Sequence, residues 1–438
     1  MKFSLRILIP VLMLILIGCT PQTLNEENDE SEIFVEESYV NEVEELAESA
    51  KIKEAMEFIR NIDEETVQNQ IAITEIPAPP FQEEVRAERY AEMMQEYGLD
   101  QVEIDEEGNV IGKRHGTEGE QTIVISAHLD TVFPERTNVE VEVRNDTLFA
   151  PGITDDARGL SVLLALINTL ETLDIQSADN IWFVGTVGEE GLGDLRGVKH
   201  LFETEGDKID AFISIDGSRA SRIVNKALGS HRYRVTFEGP GGHSWGAFGT
   251  ANPAHAMGRA ITYFEDNASQ FVKTGPKTSY NIGRIGGGTS VNSIPFENWM
   301  EIDMRSESPD ALQQIDGIMQ NAIQKALIEA NSIKTQGPDL TVDIDMIGNR
   351  PSGEIPADVP FVQRALAVSK YFGQVPELTR SSTDANVSIS MGIPSMTIGG
   401  GGSSGSSHSL DEWWYNEDGY KGVQRAFIIL MAETGLAE

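Results

Sequence analysis

The sequence predicts a mixed α/β fold, in which a three-layer α/β domain is interrupted by a smaller, ferredoxin-like α+β domain. Three observations lead to this prediction. Short apolar runs rich in β-branched residues are separated by segments of helical spacing, which is typical of a parallel sheet covered by helices. A central stretch changes to the order strand, helix, strand, strand, helix, strand. Finally, a chain of 438 residues is longer than a single hydrophobic core usually serves.

Residues 1–18 have the pattern of an export signal. Lys2 and Arg6 precede an apolar run that ends at Gly18, and this run is shorter than the about 20 apolar residues that span a bilayer. Cys19 follows directly and is the only cysteine of the chain, so an intrachain disulfide is impossible. Leu-Ile-Gly-Cys resembles a bacterial lipobox, which implies lipidation of Cys19 and a mature protein tethered to the cell envelope. A simple cleaved signal with an incidental cysteine is the alternative.

The segment after this signal is acidic. Residues 19–50 are rich in glutamate and contain no lysine or arginine, so we predict a disordered spacer. The whole chain carries a formal net charge of −37, which argues against a nucleic-acid partner because phosphate binding needs clustered lysine and arginine. This excess of acid fits either a high-salt habitat or a strongly solvated surface.

Residues 51–228 and 349–438 are predicted to form the three-layer domain, and residues 229–348 the inserted domain. The period and length of the apolar runs separate strands from helices. In the larger domain, strands are predicted at 122–127, 181–187, 211–215 and 395–398, and helices at 157–173 and 359–371. In the inserted domain, strands are predicted at 232–238, 279–284, 299–305 and 340–347, and helices at 253–268 and 309–330.

Candidate metal ligands stand at or just after the ends of predicted strands. Open α/β sheets bind ligands at this edge, and imidazole and carboxylate donors together suit zinc. Any one of these residues alone is more often a cap, a turn former or a buried core group. Together they place carboxylates in one crevice, where mutual repulsion is costly unless cations are present. The residues are His128 and Asp130, Asp155, Glu189 and Glu190, Asp216, and His408.

In their order along the chain, these motifs resemble those of the M20 metallopeptidases. They are His-Leu-Asp-Thr, Asp-Asp-x-x-Gly, Glu-Glu, Ile-Asp-Gly and Ser-His-Ser, and the resemblance covers both domains. It implies two divalent ions bridged by Asp155, with His128 and Asp216 on one ion and Glu190 and His408 on the other. Zinc is the expected metal, although manganese or cobalt would accept the same ligands.

The same resemblance assigns the other site residues. Glu189 would act as the general base, and Asp130 would orient the ring of the histidine ligand two residues before it. In the inserted domain, His243 would stabilise the oxyanion, often in the neighbouring subunit's site, which implies a homodimer through this domain. Asn292 and Arg305 would grip a substrate carboxylate. For these last three residues, a locally bonded turn histidine, a turn-forming side chain and a surface ion pair are the alternatives.

The expected function is two-metal hydrolysis of amide bonds in di- and tripeptides by an exopeptidase. An N-acyl-amino-acid amidohydrolase would use the same site. Two other classes stay open: a serine hydrolase, since residues 401–405 read Gly-Gly-Ser-Ser-Gly, and a non-catalytic lipoprotein that binds peptides or metal. The glycine- and serine-rich residues 399–407 show no selector for a substrate amine, so the end from which a peptide is cut stays open.

Overall fold

The computed structural model describes residues 33–437. The predicted signal, Cys19 and the first part of the acidic spacer therefore lie outside the described residues. Within them, none of the helices has both the length and the apolar character that crossing a membrane requires.

The secondary structure elements are numbered along the chain. The helices are α1 Glu37–Glu48, α2 Ala50–Asn61, α3 Asp63–Thr74, α4 Glu84–Glu96, α5 Ala157–Thr172, α6 Arg196–Glu205, α7 Pro253–Phe271, α8 Pro309–Ile333, α9 Pro360–Tyr371, α10 Ala385–Ser390 and α11 Tyr420–Thr434. The strands are β1 Gln101–Ile104, β2 Val110–Arg114, β3 Thr122–His128, β4 Glu142–Arg144, β5 Thr147–Phe149, β6 Asn180–Thr186, β7 Ala211–Ile215, β8 Arg222–Ala227, β9 Gly229–Glu238, β10 Gly242–His243, β11 Thr278–Gly287, β12 Ser293–Ile294, β13 Glu297–Ser306, β14 Thr341–Arg350, β15 Gly353–Glu354, β16 Glu377–Ser381, β17 Ser395–Ile398, β18 Ser403–Gly405 and β19 Trp413–Tyr415.

A nine-stranded sheet forms the centre of the larger domain, in the order β1-β2-β6-β3-β7-β17-β8-β15, with β16 beside β8. Its middle strands β6, β3, β7 and β17 are parallel neighbours. Strands β3 and β7 are buried along their whole length, as expected for apolar runs covered on both faces. The predicted α/β fold class is confirmed. Because parallel strands end at one edge, the residues that follow β6, β3 and β7 converge there.

Helices pack around this sheet in two groups. Helices α5 and α11 pack on β3, and α11 also contacts α9. Helix α5 is buried on nearly all sides, which suits a helix enclosed between the sheet and the outer helices. Helix α10 contacts α6 as well as β7 and β17.

The start of the described chain differs from the predicted spacer. Disorder was predicted up to Ala50, but Glu37–Glu48 form α1, and this helix packs against α9. Val43 and Ala47 are both buried, and their spacing of four residues places them on one face of the helix. The prediction is therefore wrong from Glu37 onwards, because a narrow apolar stripe and a hydrogen bond of 2.8 Å between Arg364 and Glu42 dock this acidic helix.

The inserted segment forms its own antiparallel sheet in the order β11-β13-β9-β14, with α7 and α8 packed against β9 and β13. The chain order strand, helix, strand, strand, helix, strand on such a sheet is ferredoxin-like. Buried and half-buried residues alternate along β13, as expected for a sheet with one face on a core. Asn252 and Ser308 cap the two helices through their side chains, each just before a first-turn proline. The inserted domain thus runs from the start of β9 to the end of β14, two residues beyond the predicted bound, and we call it the lid.

A third, four-stranded sheet has the order β18-β19-β5-β4. Its strands come from two distant parts of the chain, because β19 pairs with β5. Leu148, Ala150, Ile153 and Trp414 form a small core beneath it. The sheet thereby places the loop between β18 and β19 beside the loop between β5 and α5.

Candidate metal centre

His128 ends β3 and is only 2% exposed. Its Nδ1 lies 3.0 Å from the main-chain carbonyl oxygen of Asp130. Since a carbonyl only accepts hydrogen bonds, this contact places a proton on Nδ1 and directs Nε2 towards Asp155. Nε2 lies 2.9 Å from Asp155 Oδ1. Neither the Nε2 lone pair of a neutral ring nor a carboxylate oxygen can donate a hydrogen bond, so a proton or a cation must lie between these two atoms. The ring therefore has the orientation of a metal ligand.

Asp155 stands between two histidines. While Oδ1 faces His128, Oδ2 lies 3.1 Å from His408 Nε2. The next residue, Asp156, follows a cis peptide bond and accepts hydrogen bonds from the main-chain N–H groups of His128 and Gly159, both at 3.1 Å. A Cβ atom on Gly159 would lie 2.4 Å from Asp156 Oδ1. The Asp-Asp-x-x-Gly spacing thus caps α5 while leaving the carboxylate of Asp155 exposed to both histidines.

Glu190 and His408 complete a second group around Asp155. His408 Nε2 lies 2.8 Å from Glu190 Oε1. His408 comes from the loop after β18, where its φ of 63° is left-handed, a conformation that histidine, asparagine and aspartate adopt more often than most other residues besides glycine. The ligand atoms of Asp155, Glu190 and His408 all lie within 4.8 Å of one another, and the same holds for His128, Asp155 and Asp216. Asp155 is common to both groups.

The charges around Asp155 favour cations. Asp216 directly follows β7, and burial together with the charge of Asp155 raises its pKa to about 7. Burial likewise raises the pKa of Glu190 to about 7, although its bond to His408 opposes this. Carboxyl groups with raised pKa values lack compensating positive charge. Two sets of imidazole and carboxylate donors that share one carboxylate fit a pair of divalent cations.

Asp130 serves the centre through the main chain. Its carboxylate accepts hydrogen bonds from the N–H groups of Glu189, at 2.9 Å, and Glu190, at 2.8 Å. Burial acts to raise the pKa of Asp130, but the nearby ring of His128 and the bonds from these two N–H groups outweigh it, and the pKa is lowered. The carboxylate oxygen is 3.6 Å from His128 Nδ1, farther than the carbonyl oxygen of the same residue. Asp130 therefore orients both the ring and the turn that carries the two glutamates.

Glu189 has a partner that the sequence interpretation missed. Its side chain is almost buried, and its Oε1 accepts a hydrogen bond from Arg350 Nη1 at 3.0 Å. Arg350 ends the last strand of the lid, 161 residues further along the chain. The available signal was a basic residue at a strand end immediately before Pro351, which does not by itself indicate its target.

Glu412 is a second residue that the sequence interpretation missed. Its fully buried carboxylate accepts hydrogen bonds from the main-chain N–H groups of Gly152 at 3.2 Å, Thr154 at 2.9 Å and Asp155 at 3.1 Å. Burial raises the pKa of Glu412 to about 7, against the effect of these N–H groups. Glu412 lies four residues after His408, so one short segment supplies a candidate ligand and fixes the loop of the shared carboxylate. Its spacing alone did not reveal this role.

The predicted lid residues do not lie together. Arg305 pairs in register with Ser230 at the start of β9. At this end of the lid, Arg350 contacts Glu189. His243 and Asn292 follow the opposite ends of the lid strands, because β10 and β12 come after β9 and before β13. From Arg305, β13 extends eight residues, or about 27 Å, towards that end. Within one chain, Asn292 and Arg305 are therefore too far apart to grip the same small carboxylate, and the substrate-binding role of each residue stays a prediction.

The immediate surroundings of these three residues are local. His243 is exposed, and its Nδ1 accepts from the main-chain N–H groups of Trp245 at 3.2 Å and Gly246 at 3.4 Å. The Nε2–H of this tautomer then points away from the turn. Arg305 donates to Asp303 at 2.9 Å. The side chain of Asn292 accepts from Ser290 at 2.6 Å.

The serine-hydrolase alternative finds no matching site. Ser403 lies on β18, which pairs with β19, and not on a sharp turn between a strand and a helix, as that motif requires. Its hydroxyl contacts Glu417, and the hydroxyl of Ser404 contacts Ser218. Among the described hydrogen bonds, none joins either serine to a histidine.

The central sheet, the lid and the paired groups of donors define a hydrolase of mixed α/β fold with a candidate metal centre. The chain belongs to peptidase family M20/M25/M40, whose family model matches residues 124–431. The predicted family is thereby confirmed, and the protein is a hydrolase that acts on peptide bonds.

Three relatives illustrate the likeness. The uncharacterized protein YqjE of Bacillus subtilis (strain 168) is 26% identical over 299 residues, which are 66% of this chain and 76% of that protein. The aminopeptidase PepT of Bacillus cereus ATCC 10987 superposes with a TM-score of 0.66 at 21% identity, over 84% of this chain and 98% of PepT. The YXEP protein of Bacillus subtilis, described as a dinuclear metal binding peptidase of the M20 family, gives 0.58 at 18% identity, over 88% and 99%. At these identities, the two structures show the shared fold.

Proposed function

We propose that the protein is a two-metal exopeptidase for di- and tripeptides. His128, Asp155 and Asp216 would hold one divalent cation, and Asp155, Glu190 and His408 the other. The observation that carries this proposal is the position of Asp155, whose two carboxylate oxygens face different histidines at 2.9 and 3.1 Å. A carboxylate shared in this way would suit a pair of divalent cations.

Zinc is the proposed metal, because mixed imidazole and carboxylate donors suit it well. Manganese and cobalt would accept the same donors. When bound, the metal pair polarises the scissile carbonyl and makes a water molecule more acidic. The dinuclear description of the YXEP protein supports a pair of ions in a chain of this fold.

Glu189 is the proposed general base. Arg350 donates a hydrogen bond to its Oε1, and within residues 33–437 no donor bonds to its Oε2. Glu189 would take a proton from the attacking water through this second oxygen and then pass it to the leaving nitrogen. The Asp130 carboxylate accepts a hydrogen bond from the main-chain N–H of Glu189 at 2.9 Å. This bond keeps the base in place while the proton moves.

The lid would supply substrate binding from two chains. Arg305 lies at the near end of the lid, where its guanidinium suits a substrate carboxylate. His243 and Asn292 lie at the far end, so we propose that they reach the site of a second copy in a homodimer. The side chains of Trp245 and Phe248 beside His243 are 87% and 81% exposed, which suits a surface that a partner covers. His243 Nε2–H would then donate to the developing oxyanion.

Export and lipid anchoring remain a proposal from the sequence alone. The apolar run and Cys19 would place the enzyme on the cell envelope by a lipid and not by a spanning helix. Replacing Cys19 with serine in the full chain should move the protein from the membrane fraction to the soluble fraction. A variant that stays in the membrane fraction would contradict lipidation.

The decisive test combines metal analysis with a substrate panel. Zinc-loaded protein should contain two ions per chain and hydrolyse di- and tripeptides faster than N-acyl amino acids. Chelation should abolish this activity, while serine-directed reagents leave it intact. The variant Glu189→Gln should keep both ions and lose at least about 100-fold in kcat, the lower part of the range for a general base. Full activity in this variant would refute the mechanism, and faster cleavage of N-acyl amino acids would identify an amidohydrolase instead.

A further inference from the structure

The last residue of the lid sheet contacts the proposed general base. We propose that Arg350 is a positioning residue, which holds Glu189 out of the metal coordination and ready to accept a proton. This inference rests on the proposed function, because it assigns Arg350 a task only if Glu189 is the base.

Arg350 grips Glu189 at two points. Its Nη1 donates to Glu189 Oε1 at 3.0 Å and to Ser382 Oγ at 3.0 Å, and its Nη2 donates to the main-chain carbonyl oxygen of Glu189. The side chains of Arg350 and Glu189 are only 6% and 7% exposed. One guanidinium therefore fixes both the backbone and the carboxylate of the same residue, which a single point charge could not do.

Glu189 needs this restraint because it lies close to the metal ligands. One of its carboxylate oxygens lies within 4.8 Å of ligand atoms of His128 and Glu190, so a small rotation would make Glu189 a ligand itself. A carboxylate bound to a cation is a weak proton acceptor. Arg350 donates a hydrogen bond to one oxygen of Glu189 and so competes with a cation for its negative charge, while the neighbouring Glu190 faces His408.

The guanidinium also sits among several carboxylates. An unpaired arginine in such a place would be costly to bury, but here the surrounding negative charges stabilise it. These charges belong to Glu189, Glu190, Asp194 and Asp384.

The lid holds the same loop at two further points. The main-chain N–H of Asn349 donates to the Asp194 carboxylate at 2.9 and 3.0 Å, and Arg232 Nη1 donates to the carbonyl oxygen of Gly191 at 2.8 Å. Both donors come from the lid strands β14 and β9. The turn that carries Glu189 and Glu190 is thus attached to the lid, and Arg350 is the contact that reaches the base itself.

The test compares Arg350→Met and Arg350→Lys with Arg284→Met in the full, zinc-loaded protein. Arg284 lies on the same lid sheet, with 67% of its side chain exposed, and serves as the control. With a dipeptide that the unaltered protein cleaves, Arg350→Met should lower kcat about 100-fold, because the base loses its position. Its KM and its two bound ions should stay the same. Arg350→Lys should recover part of kcat, and added methylguanidine should partly rescue Arg350→Ala.

A second readout does not depend on activity. In the cobalt-loaded protein, Arg350→Met should weaken the visible absorption, because the released Glu189 would coordinate a cobalt ion and raise its coordination number. The added change Glu189→Gln should restore the absorption to that of Glu189→Gln alone. An unchanged spectrum together with kcat within about threefold of the unaltered protein would overturn the positioning role. A rise in KM alone would instead make Arg350 a substrate-binding residue, and loss of metal would make it structural.

The two proposals can fail separately. If Glu189→Gln keeps its activity, the proposed function fails, whatever Arg350 does. If Glu189→Gln is inactive but Arg350→Met remains fully active with an unchanged cobalt spectrum, only the positioning inference fails.

Discussion

Replacing Glu412 with alanine tests how the shared carboxylate is held. The variant removes the acceptor of three main-chain N–H groups, which bond to the buried Glu412 at 2.9 to 3.2 Å. The bonds from Gly152 and Thr154 are buried, and an unpaired buried donor costs about 1 to 3 kcal/mol, so even the lower value gives a loss of about 2 kcal/mol in the free energy of unfolding. Because the loop also carries Asp155, we expect about 10- to 100-fold weaker zinc binding, as for other groups that orient metal ligands.

Competition with a chromophoric chelator measures zinc affinity, and thermal unfolding in excess chelator measures stability without metal. Glu412→Gln should show a smaller defect, since one oxygen remains while its amide meets the N–H of Gly152. The exposed Glu417 lies on the same segment, so Glu417→Gln is the matched control and should behave like the unaltered protein. If Glu412→Ala binds zinc within about threefold of the control, the loop does not need this acceptor, and the reasoning is refuted.

Three further predictions concern the metal pair, the first helix and the lid. Asp155→Asn should reduce bound zinc from two ions to less than one per chain by elemental analysis, and retention of both ions would exclude a shared carboxylate. Val43→Asp should lower the melting temperature because it buries an unpaired charge between α1 and α9. The control Glu45→Ala, at an exposed position, should not lower it. Equal melting temperatures for the two variants would mean that α1 is not docked. Arg305→Ala should raise KM at least about 10-fold for peptides with a free C-terminus but not for amidated ones, and an equal effect on both would remove the carboxylate role.

The fold followed from the sequence where local patterns are strong. Apolar runs with β-branched residues predicted β3, β7 and β17 to within a residue, because a strand buried on both faces leaves few polar positions. The order of the lid elements followed in the same way from alternation and helix caps. Helix α1 did not, since its glutamates outnumber its two buried residues, and a composition rich in glutamate favours disorder even where a narrow apolar stripe is present.

The sequence by itself determined the chemistry of the site. His128, Glu190 and Asp216 end or follow parallel strands, whose ends meet at one edge of the sheet. The resemblance to the M20 metallopeptidases added Asp155 and His408, so all five residues could be named before their distances were known.

Only the tertiary structure decided which residues hold the proposed base and the loop of the shared carboxylate in place. Arg350 reaches Glu189 across 161 residues, and Glu412 reaches Thr154 across 258. Such contacts depend on how the lid docks and on how β19 pairs with β5, and neither leaves a local pattern. The same reason separates Arg305 from Asn292, because strand register sets their distance and residue type does not.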